Sequence, residues 1–379
     1  MTDSSSPNML QKARKIGLLG DTHGDMGHLL AAARTFKARG IDIVIQAGDW
    51  GFIWPNENWN RNLDKISRRL DSLGMLLLVV DGNHDWLHKI NEFPINPDGL
   101  RRLRHNVAHL PRGYRTTLLP YDSGWPANTV SPGRVLAVLG GANSVDKQHR
   151  TEGADWWAEE SITEVDLAVL GSEHADVLIG HDAPLDVPDL DRTLASNSSG
   201  WPPEAVAYAD QGRRMFHRGF MAVRPELYVG GHYHHHVDQT LTYSDTAGSF
   251  RCRVVVLDQA RPKAISLAVL DTWTLQLELL TLGDTRVERL TMRDQGRWVV
   301  RTADADLAFD LDVRTVERRS LPGSRPSPRM DRPMPLLDIR ILYVGAVAIY
   351  TLDPLDEYRP HQDVFSTAVV DKIERETEM

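Results

Sequence analysis

Three short apolar runs, separated by amphipathic stretches, dominate the first part of the chain. The runs are Lys15–Gly20, Ile41–Ala47 and Met75–Val80, and their length and composition predict buried β-strands. Between them, residues 26–39 and 59–73 repeat apolar positions at helical spacing, and a glycine follows each stretch. Strands and helices that alternate at this pitch predict βαβ units, so we expect a parallel sheet in this part of the protein.

Polar residues follow each run at its carboxyl end. The first run is followed by Asp21 and His23, the second by Asp49, and the third by Asn83 and His84. Ligands of open α/β sheets bind at this edge, where the loops after the strands share one crevice. A glycine stands before most of these polar groups and lets the backbone turn sharply. The pattern therefore predicts a site assembled at the carboxyl edge of the sheet.

Further apolar runs occur in the second half of the sequence. Residues 134–139, 176–179 and 227–229 have the length of strands, and residues 251–257 and 264–270 alternate in polarity. The alternation is typical of strands with one solvated face. We therefore expect this second set of strands to be more antiparallel than the first.

The composition divides the chain into segments. Residues 1–14 are polar and predict a disordered segment, and residues 15–283 form the main domain. Within it, residues 186–204 are rich in Asp, Ser and Pro and predict a long surface loop. Residues 284–379 contain short strand-like segments, so we expect a small β-rich C-terminal domain whose role the sequence does not indicate.

Bulk properties narrow the classes of function. The 379-residue chain has a net charge of −9 and a pI near 5.9, which disfavours binding to nucleic acid or an anionic membrane surface. Cys252 is the sole cysteine, so the chain has no internal disulfide and no cysteine-rich zinc site. The most apolar late run, residues 341–350, is too short to span a bilayer. These features favour a cytoplasmic protein.

The strand ends together carry donors for metal ions. The runs at 176–179 and 227–229 precede three more histidines, namely His181, His232 and His234. With the first sheet they supply two Asp, one Asn and five His, a set of nitrogen and oxygen ligands that suits Mn, Fe, Zn, Ni or Co. Two such ions can clamp the attacking and leaving oxygens of a phosphoryl transfer. The inventory therefore predicts a centre for two divalent cations.

The ordered series DTH, GD, GNHD, GH and GHYH, between residues 21 and 234, resembles that of the calcineurin-like metallophosphoesterases. The phrases GDWGFIWP (48–55), GGANSVD (140–146) and GHDAP (180–184) are similar to a bacterial and phage-type branch with no assigned substrate. The resemblance implies that residues 15–283 are a metallophosphoesterase domain of the α/β class. Its fold would be a four-layer sandwich of two mixed β-sheets flanked by helices.

The resemblance also implies a ligand for each metal position. Manganese is the ion we favour, with Fe, Zn, Ni or Co as alternatives. Asp49 would bridge the two ions. One ion would be bound by Asp21, His23 and His234, and the other by Asn83, His181 and His232.

Two further residues receive catalytic roles from the same resemblance. His84 would donate a proton to the leaving oxygen without binding metal, and Asp85 would orient His84. The nucleophile would be a hydroxide that bridges the metals, and no covalent phosphoenzyme would form. The implied activity is a phosphoester hydrolase, and we favour a phosphodiesterase.

Four residues near the motifs are candidates for contact with substrate. Arg150 and Arg112 suit bidentate contact with phosphate, Asn143 follows a predicted strand, and Trp50 follows a metal motif and suits base stacking. We expect the substrate to be a nucleotide or another small phosphoester. A nuclease, a protein phosphatase and a metal-binding scaffold without turnover remain alternatives. The sequence does not indicate an oligomeric state.

Overall fold

The computed structural model describes residues 8–56, 58–120, 133–261, 263–282, 289–321, 332–344, 346–352 and 363–375. The chain divides into two compact units, the first formed by residues 1–25 and 32–282 and the second by residues 26–31 and 283–379. Among the described residues, no helix combines the length and apolar character needed to cross a membrane.

Short strands and helices alternate through the first half. The elements up to residue 118 are β1 (Lys15–Leu19), α1 (Met26–Ala38), β2 (Ile43–Ala47), α2 (Trp59–Leu73), β3 (Leu76–Val80), α3 (Leu87–Asn91), β4 (Arg101–Arg104), β5 (Val107–His109) and β6 (Arg115–Leu118). They continue with β7 (Arg134–Leu139), α4 (Glu164–Leu170), β8 (Val177–Gly180), α5 (Pro188–Ser196), α6 (Pro203–Val223), β9 (Leu227–Gly230), β10 (Val237–Asp245), β11 (Gly248–Val256), β12 (Leu267–Asp271) and β13 (Leu277–Leu280).

The first sheet contains the predicted parallel strands. Its order is β13-β12-β1-β2-β3-β5-β4, and β1, β2, β3 and β5 run parallel. Three antiparallel pairs complete it, β12 with β1, β13 with β12, and β4 with β5. Helix α2, which connects β2 to β3, ends where the sequence predicts. It ends there because Gly74 adopts a left-handed φ of 62° and its N–H group caps the last turn.

The second sheet differs from the expectation of antiparallel pairing. Its order is β10-β11-β9-β8-β7-β6, and the four strands β11, β9, β8 and β7 are parallel. Only the edge pairs β10–β11 and β6–β7 are antiparallel in the described part of this sheet. The prediction was wrong for the four parallel strands, and α6, which connects β8 to β9, has no clear helical signal in the sequence. It is confirmed for the run at 264–270, which contains most of β12, because β12 pairs antiparallel with β1 in the first sheet.

Alternate residues of the two sheets form the main hydrophobic core. Ile16 and Leu18 of β1 and Ile45 of β2 belong to the same buried cluster as Val138 of β7 and Ile179 of β8. Each fully buried side chain of this size stabilises the fold by about 1.5–3 kcal/mol. Because both sheets bury one face here, the core fixes the register of their strands and hence the position of the loops at their carboxyl ends.

A second core lies on the other face of the second sheet, beneath α6. Phe216 and Phe220 of α6 are fully buried with Tyr228 of β9. Gly219 permits close packing, because a Cβ at this position would lie 2.6 Å from a methyl carbon of Leu139. The sequence predicts a loop across residues 186–204, but Pro188–Ser196 of this segment form α5, and α6 begins at Pro203.

The α5 helix has local signals that explain its presence in a polar stretch. Pro188 occupies the first turn, where its missing N–H group costs no hydrogen bond, and Asp189 and Asp191 lie in the same turn. Leu190 is fully buried and anchors the helix. The helix ends at Asn197, whose φ of 40° is left-handed. The prediction gave weight to the polar composition and missed these capping features.

The start of the described chain is ordered where the sequence predicts disorder. Asn8 and Gln11 exchange hydrogen bonds, each side-chain oxygen accepting from the other residue's backbone N–H at 2.9 Å. Leu10 is buried in the core between the sheets. Residues 8–14 therefore depart from the expectation for residues 1–14, and residues 1–7 lie outside the described chain.

The second unit is β-rich and contains a closed barrel. Its strands pair in the order β14-β15-β16-β17-β18-β19, and β19 returns to pair with β14. Closure gives each of these described strands two neighbours. Trp298, Phe309 and Tyr350 are part of its buried core. The strands are β14 (Arg297–Thr302), β15 (Ala305–Asp310), β16 (Thr315–Ser320), β17 (Met334–Ile341), β18 (Val347–Leu352) and β19 (Asp363–Arg375).

Candidate metal centre

The carboxyl ends of the parallel strands of both sheets bring the predicted metal ligands together. The first group of converging donor atoms, all within 4.8 Å of one another, comprises Asp21, His23, Asp49 and His234. The second group, defined by the same distance, comprises Asp49, His181 and His232. Asp49 belongs to both groups, so the two sets of donors are adjacent and share one carboxylate.

The backbone is strained at several of these residues. His23, Asp49, His232 and His234 have φ angles of 44°, 54°, 73° and 49°, all in the left-handed region that side chains other than Gly rarely adopt. Each such conformation costs on the order of 1–3 kcal/mol and persists only where the surrounding structure enforces it. Because the left-handed conformations occur together at the converging donors, we infer that the loop backbone is constrained so that these side chains point toward one another.

Glycines beside the donors allow the loops to pack closely. A Cβ at Gly48 would collide with the ring of His181, and one at Gly82 would collide with the carboxylate of Asp49. The requirement for Gly48 is twofold, since its φ is also 92°. The Gly residues of the motifs are therefore required by contact with the site itself as well as by the turn.

The first donor group is held by hydrogen bonds around a buried carboxylate. Asp21 is fully buried, and it accepts the backbone N–H of His232 at 3.0 Å. The Nε2 atom of His234 lies 3.3 Å from Asp21 and 2.8 Å from Nε2 of His23. Two imidazole nitrogens and a carboxylate oxygen thus converge on one point, which is the arrangement that a first-row divalent cation requires.

The second donor group surrounds the buried imidazole of His181. Its Nδ1 atom bonds the carbonyl oxygen of Ala47 at 2.8 Å, which leaves Nε2 to face Asp49 at 3.2 Å and the amide oxygen of Asn83 at 3.1 Å. Burial opposes protonation of His181, but the carboxylates of Asp49 and Asp21 outweigh it and raise its pKa to about 10. The electrostatic potential that these carboxylates create around His181 therefore favours a positive charge.

Asn83 is fixed by a buried chain of hydrogen bonds. Its amide nitrogen donates to the hydroxyl of Ser144 at 3.0 Å, and that hydroxyl donates to the carboxylate of Glu160. Glu160 also accepts from the backbone N–H of Ser144 at 3.0 Å and from the hydroxyl of Tyr208 at 2.9 Å. Because a serine hydroxyl has a single proton, this chain orients the Asn83 oxygen toward His181.

His84 lies beside both donor groups but belongs to neither. Its backbone N–H donates to Asp49 at 2.7 Å, and its ring contacts the guanidinium of Arg150, with Nδ1 at 2.7 Å. Burial lowers the pKa of His84, Asp49 opposes that shift, and Arg150 adds to it. Arg150 is itself paired with Asp146 at 2.8 Å. The imidazole therefore faces the donors as an unligated group.

Asp85 differs from its predicted role. Its buried carboxylate accepts the backbone N–H groups of Gly82 at 2.8 Å, Gly51 at 2.9 Å and Trp50 at 3.2 Å. Burial and the charge of Asp49 raise the pKa of Asp85 to about 6, against the effect of these hydrogen bonds. Among the described residues its bonds go to backbone groups and not to the His84 ring. Asp85 ties the loops after β2 and β3 together.

Arg112 is part of the protein interior and does not face the site, contrary to its candidacy for phosphate contact. Its side chain is 7% exposed, and Nε donates to the fully buried Asp81 at 2.8 Å. Its other donors reach Asp166 and the carbonyl oxygens of residues 159–161. Asp81 also contacts His109 at 3.0 Å. All three guanidinium nitrogens therefore donate hydrogen bonds within the protein, and these bonds stabilise the fold.

We expect Arg112→Ala to destabilise the protein by roughly 3–5 kcal/mol, because it leaves the Asp81 charge buried with a weaker partner. Urea denaturation would measure the loss in the free energy of unfolding. Arg115→Ala is a matched control, since Arg115 donates to exposed carbonyl groups. Unchanged stability with selective loss of turnover in Arg112→Ala would restore the substrate role.

Two more candidates for substrate contact are buried. Trp50 is 1% exposed and packs against Phe52, with ring centroids 5.3 Å apart. Asn143 is buried, donates to the carbonyl oxygen of Tyr208 at 2.8 Å and accepts from Ser161 at 2.8 Å. Both side chains support neighbouring loops from inside the protein. Arg150, through His84, is the candidate that the structure brings to the site.

A pocket of about 470 Å³ opens on the donor groups. One wall contains Asp49, His84 and His234, and the other is formed by α5, α6 and the segment between them. The second wall is not expected from the sequence, because the composition of residues 186–204 predicts a loop. Glu160 is likewise not expected, because the acidic sequence around residue 159 gives no distinguishing signal.

Individual known proteins resemble this chain only distantly. A search of curated proteins finds no relative that matches. Among solved structures, TT1561 of Thermus thermophilus is 14% identical, with 72% of this chain and 100% of that chain covered and a TM-score of 0.41. A protein described as a novel archaeal phosphodiesterase is 12% identical, with 70% and 99% covered and a TM-score of 0.27.

The family profile is the match that decides the relationship. The profile described as calcineurin-like phosphoesterase matches residues 14–236, more than half of the chain. The matched region includes both donor groups and His84. The match confirms the resemblance seen in the motifs, and the two mixed sheets flanked by helices agree with that fold. The chain belongs to the calcineurin-like phosphoesterase family.

Proposed function

We propose that this protein is a phosphodiesterase that uses two divalent metal ions to hydrolyse a nucleotide or another small phosphoester. The observation that carries the proposal is the pair of donor groups that share Asp49 and open into one pocket. A carboxylate has two oxygens and can serve two cations at once. Family membership supports the phosphoester hydrolase, and the geometry supports the dinuclear form.

The donor groups suggest which residues hold each ion. Asn83 joins the second group, because its oxygen lies 3.1 Å from Nε2 of His181. Asp49, which belongs to both groups, would contact both ions. The first site comprises Asp21, His23 and His234, and the second comprises Asn83, His181 and His232.

Metal ions held by these residues would supply Lewis acidity to the phosphoryl oxygens and would activate water at neutral pH. The side chains of the protein position the reacting groups and supply a proton. His84 stands over the pocket and donates a proton to the departing oxygen, which is then released as an alcohol. Arg150 holds the His84 ring from the other side, and Asp146 in turn fixes Arg150. Asp85 keeps the two loops in register.

The donor chemistry is compatible with several ions. Imidazole, carboxylate and amide ligands suit Mn, Fe, Zn, Ni and Co, and the number of oxygen ligands favours Mn among them. We therefore propose Mn as the activating metal. The acidic charge and the single cysteine support a cytoplasmic location for the protein.

Hydrolysis of chromogenic esters tests the function directly. We expect metal-stripped protein to be inactive and added Mn²⁺ to restore hydrolysis of bis-p-nitrophenyl phosphate. Preference for p-nitrophenyl phosphate over this diester would instead indicate a phosphatase. Two bound metals without turnover of either ester would support the metal-binding scaffold, and turnover confined to nucleic acid would support a nuclease.

The hydrogen-bond chain behind Asn83 makes a separate prediction. Ser144→Ala removes the group that orients the Asn83 amide, so we expect about 10–100-fold weaker binding at one of the two metal sites. Titration of metal-stripped protein with Mn²⁺ by calorimetry would resolve this site from the other. Ser161→Ala is the matched control, because Ser161 bonds Asn143 and Tyr208 and does not contact Asn83. Equal Mn²⁺ affinity in Ser144→Ala and the wild type would contradict the assignment of Asn83.

A further inference from the structure

The pocket beside the metal donors has a second wall that the hydrolytic chemistry does not use. This wall contains Trp201, from the segment between α5 and α6, and Asp210 of α6. The volume of about 470 Å³ is in the range of sites for small organic ligands. Since His84 and His234 line the same pocket as Trp201 and Asp210, a substituent on a phosphate held by the metal donors would extend toward this wall.

Hydrogen bonds anchor the backbone of Trp201 at this wall. The side-chain oxygen of Asn197 accepts the backbone N–H of Trp201 at 2.9 Å, and its amide nitrogen donates to the Trp201 carbonyl at 2.8 Å. The same loop is closed by a bond of 2.8 Å from the Gly200 N–H to the Asn197 carbonyl. Trp201 is half-buried and lines the pocket, and its ring centroid lies 6.0 Å from that of His149. An indole on an anchored segment of backbone is suited to stacking.

Asp210 differs from the other charged residues of the pocket. Asp146 is paired with Arg150 at 2.8 Å, and Arg213 is paired with Asp191 at 2.8 Å. Among the described residues, none provides a hydrogen bond or an ion pair to the carboxylate of Asp210. A half-buried carboxylate without a partner repels a second phosphate and accepts hydrogen bonds from hydroxyl groups.

We infer that this wall is a nucleoside subsite, with the base stacked on Trp201 and the ribose hydroxyls bonded to Asp210. The charge of Asp210 favours a substrate that has one phosphate between two organic groups over a polyphosphate or a long nucleic acid. This inference rests on the proposed phosphodiesterase and specifies the substituent that it accepts. Two neighbouring hydroxyls match the two oxygens of the carboxylate, and the base matches the indole face.

Three esters with the same leaving group test the subsite. Uridine 5′-(p-nitrophenyl phosphate), its 2′,3′-dideoxy analogue and methyl p-nitrophenyl phosphate differ only in the retained group. We expect kcat/KM with Mn²⁺ to be highest for the uridine ester. Trp201→Ala should lower its advantage over the methyl ester by about tenfold. Asp210→Ala should lower its advantage over the dideoxy ester by roughly tenfold.

Two variants control for unrelated effects. Trp201→Phe keeps a flat ring and should retain most of the preference. Glu204→Ala removes an exposed charge from the first turn of α6, the helix that contains Asp210, and should leave the preference unchanged. Bound Mn²⁺ in every variant verifies that the centre is intact. Calorimetric binding of uridine 5′-monophosphate provides a second measurement that does not need turnover, and it should weaken in Trp201→Ala and Asp210→Ala.

The outcomes separate this inference from the function on which it rests. Equal kcat/KM for the uridine and methyl esters would overturn the subsite and leave the phosphodiesterase intact. A preference that survives both Trp201→Ala and Asp210→Ala would overturn the placement on this wall. If no ester is hydrolysed, the proposed function fails, and the binding of uridine 5′-monophosphate then supports or overturns the subsite by itself.

Discussion

Asp49→Asn should abolish turnover and remove metal from both positions at once. Asp49 is the residue common to both donor groups, and an amide supplies one neutral oxygen in place of two charged ones. We expect kcat to fall by roughly 10³-fold or more, because the lost ions carry the electrostatic stabilisation of the reaction. Elemental analysis of the purified variant, with kcat for bis-p-nitrophenyl phosphate, measures both effects.

The substitution isolates the charge of Asp49. Asn tolerates a left-handed backbone, so it can adopt the φ of 54° found at this position. Asp64→Asn on α2 is a matched control, since it removes a carboxylate that pairs with Arg104 on the surface. If Asp49→Asn still binds two metal ions with normal affinity, the bridging assignment is wrong.

His84→Ala should have the opposite signature, with turnover lost and metal retained. The imidazole belongs to neither donor group, so its removal leaves the ligands in place. Loss of a positioned proton donor lowers kcat by about 10²–10⁴-fold. Kinetics with bis-p-nitrophenyl phosphate and Mn²⁺, together with elemental analysis, would show this combination.

The choice of leaving group distinguishes proton donation from a structural role. An alkoxide needs protonation more than p-nitrophenolate does, so the loss in His84→Ala should be greater for an alkyl ester than for the nitrophenyl ester. His88→Ala is the matched control, because that imidazole is exposed and pairs with Glu159. An equal loss for both esters would argue that His84 positions the substrate, and unchanged turnover would remove it from the mechanism.

Several corrections share one physical cause. Trp50 and Asn143 are candidates for substrate contact because each closely follows a metal motif or a predicted strand, and Arg112 is one because a guanidinium suits phosphate. Neither proximity in sequence nor residue type sets the direction of a side chain, and all three residues form buried hydrogen bonds or packing contacts instead. The resemblance implies that Asp85 orients its neighbour His84, but three backbone N–H groups satisfy its carboxylate instead.

Local patterns in the sequence were sufficient to specify three parallel strands of the first sheet, β1, β2 and β3, and the donors that follow them. The apolar runs at β1, β2 and β3 have the length of buried strands, and Asp21 and Asp49 follow two of them. This information is local, since the period of the pattern and the adjacent glycine are both visible within a few residues. Placement at the carboxyl edge follows from the parallel pairing alone.

Contacts between residues that are far apart in the sequence were decided only by the tertiary structure. The sharing of Asp49 between two donor groups requires both sheets, and the bonds from Glu160 through Ser144 to Asn83 join three separate loops. The pocket wall with Trp201 depends on helices whose polar composition resembles that of a loop. A local pattern reports only the propensity of its own segment, whereas these contacts depend on which buried faces pack together, and that is a property of the whole core.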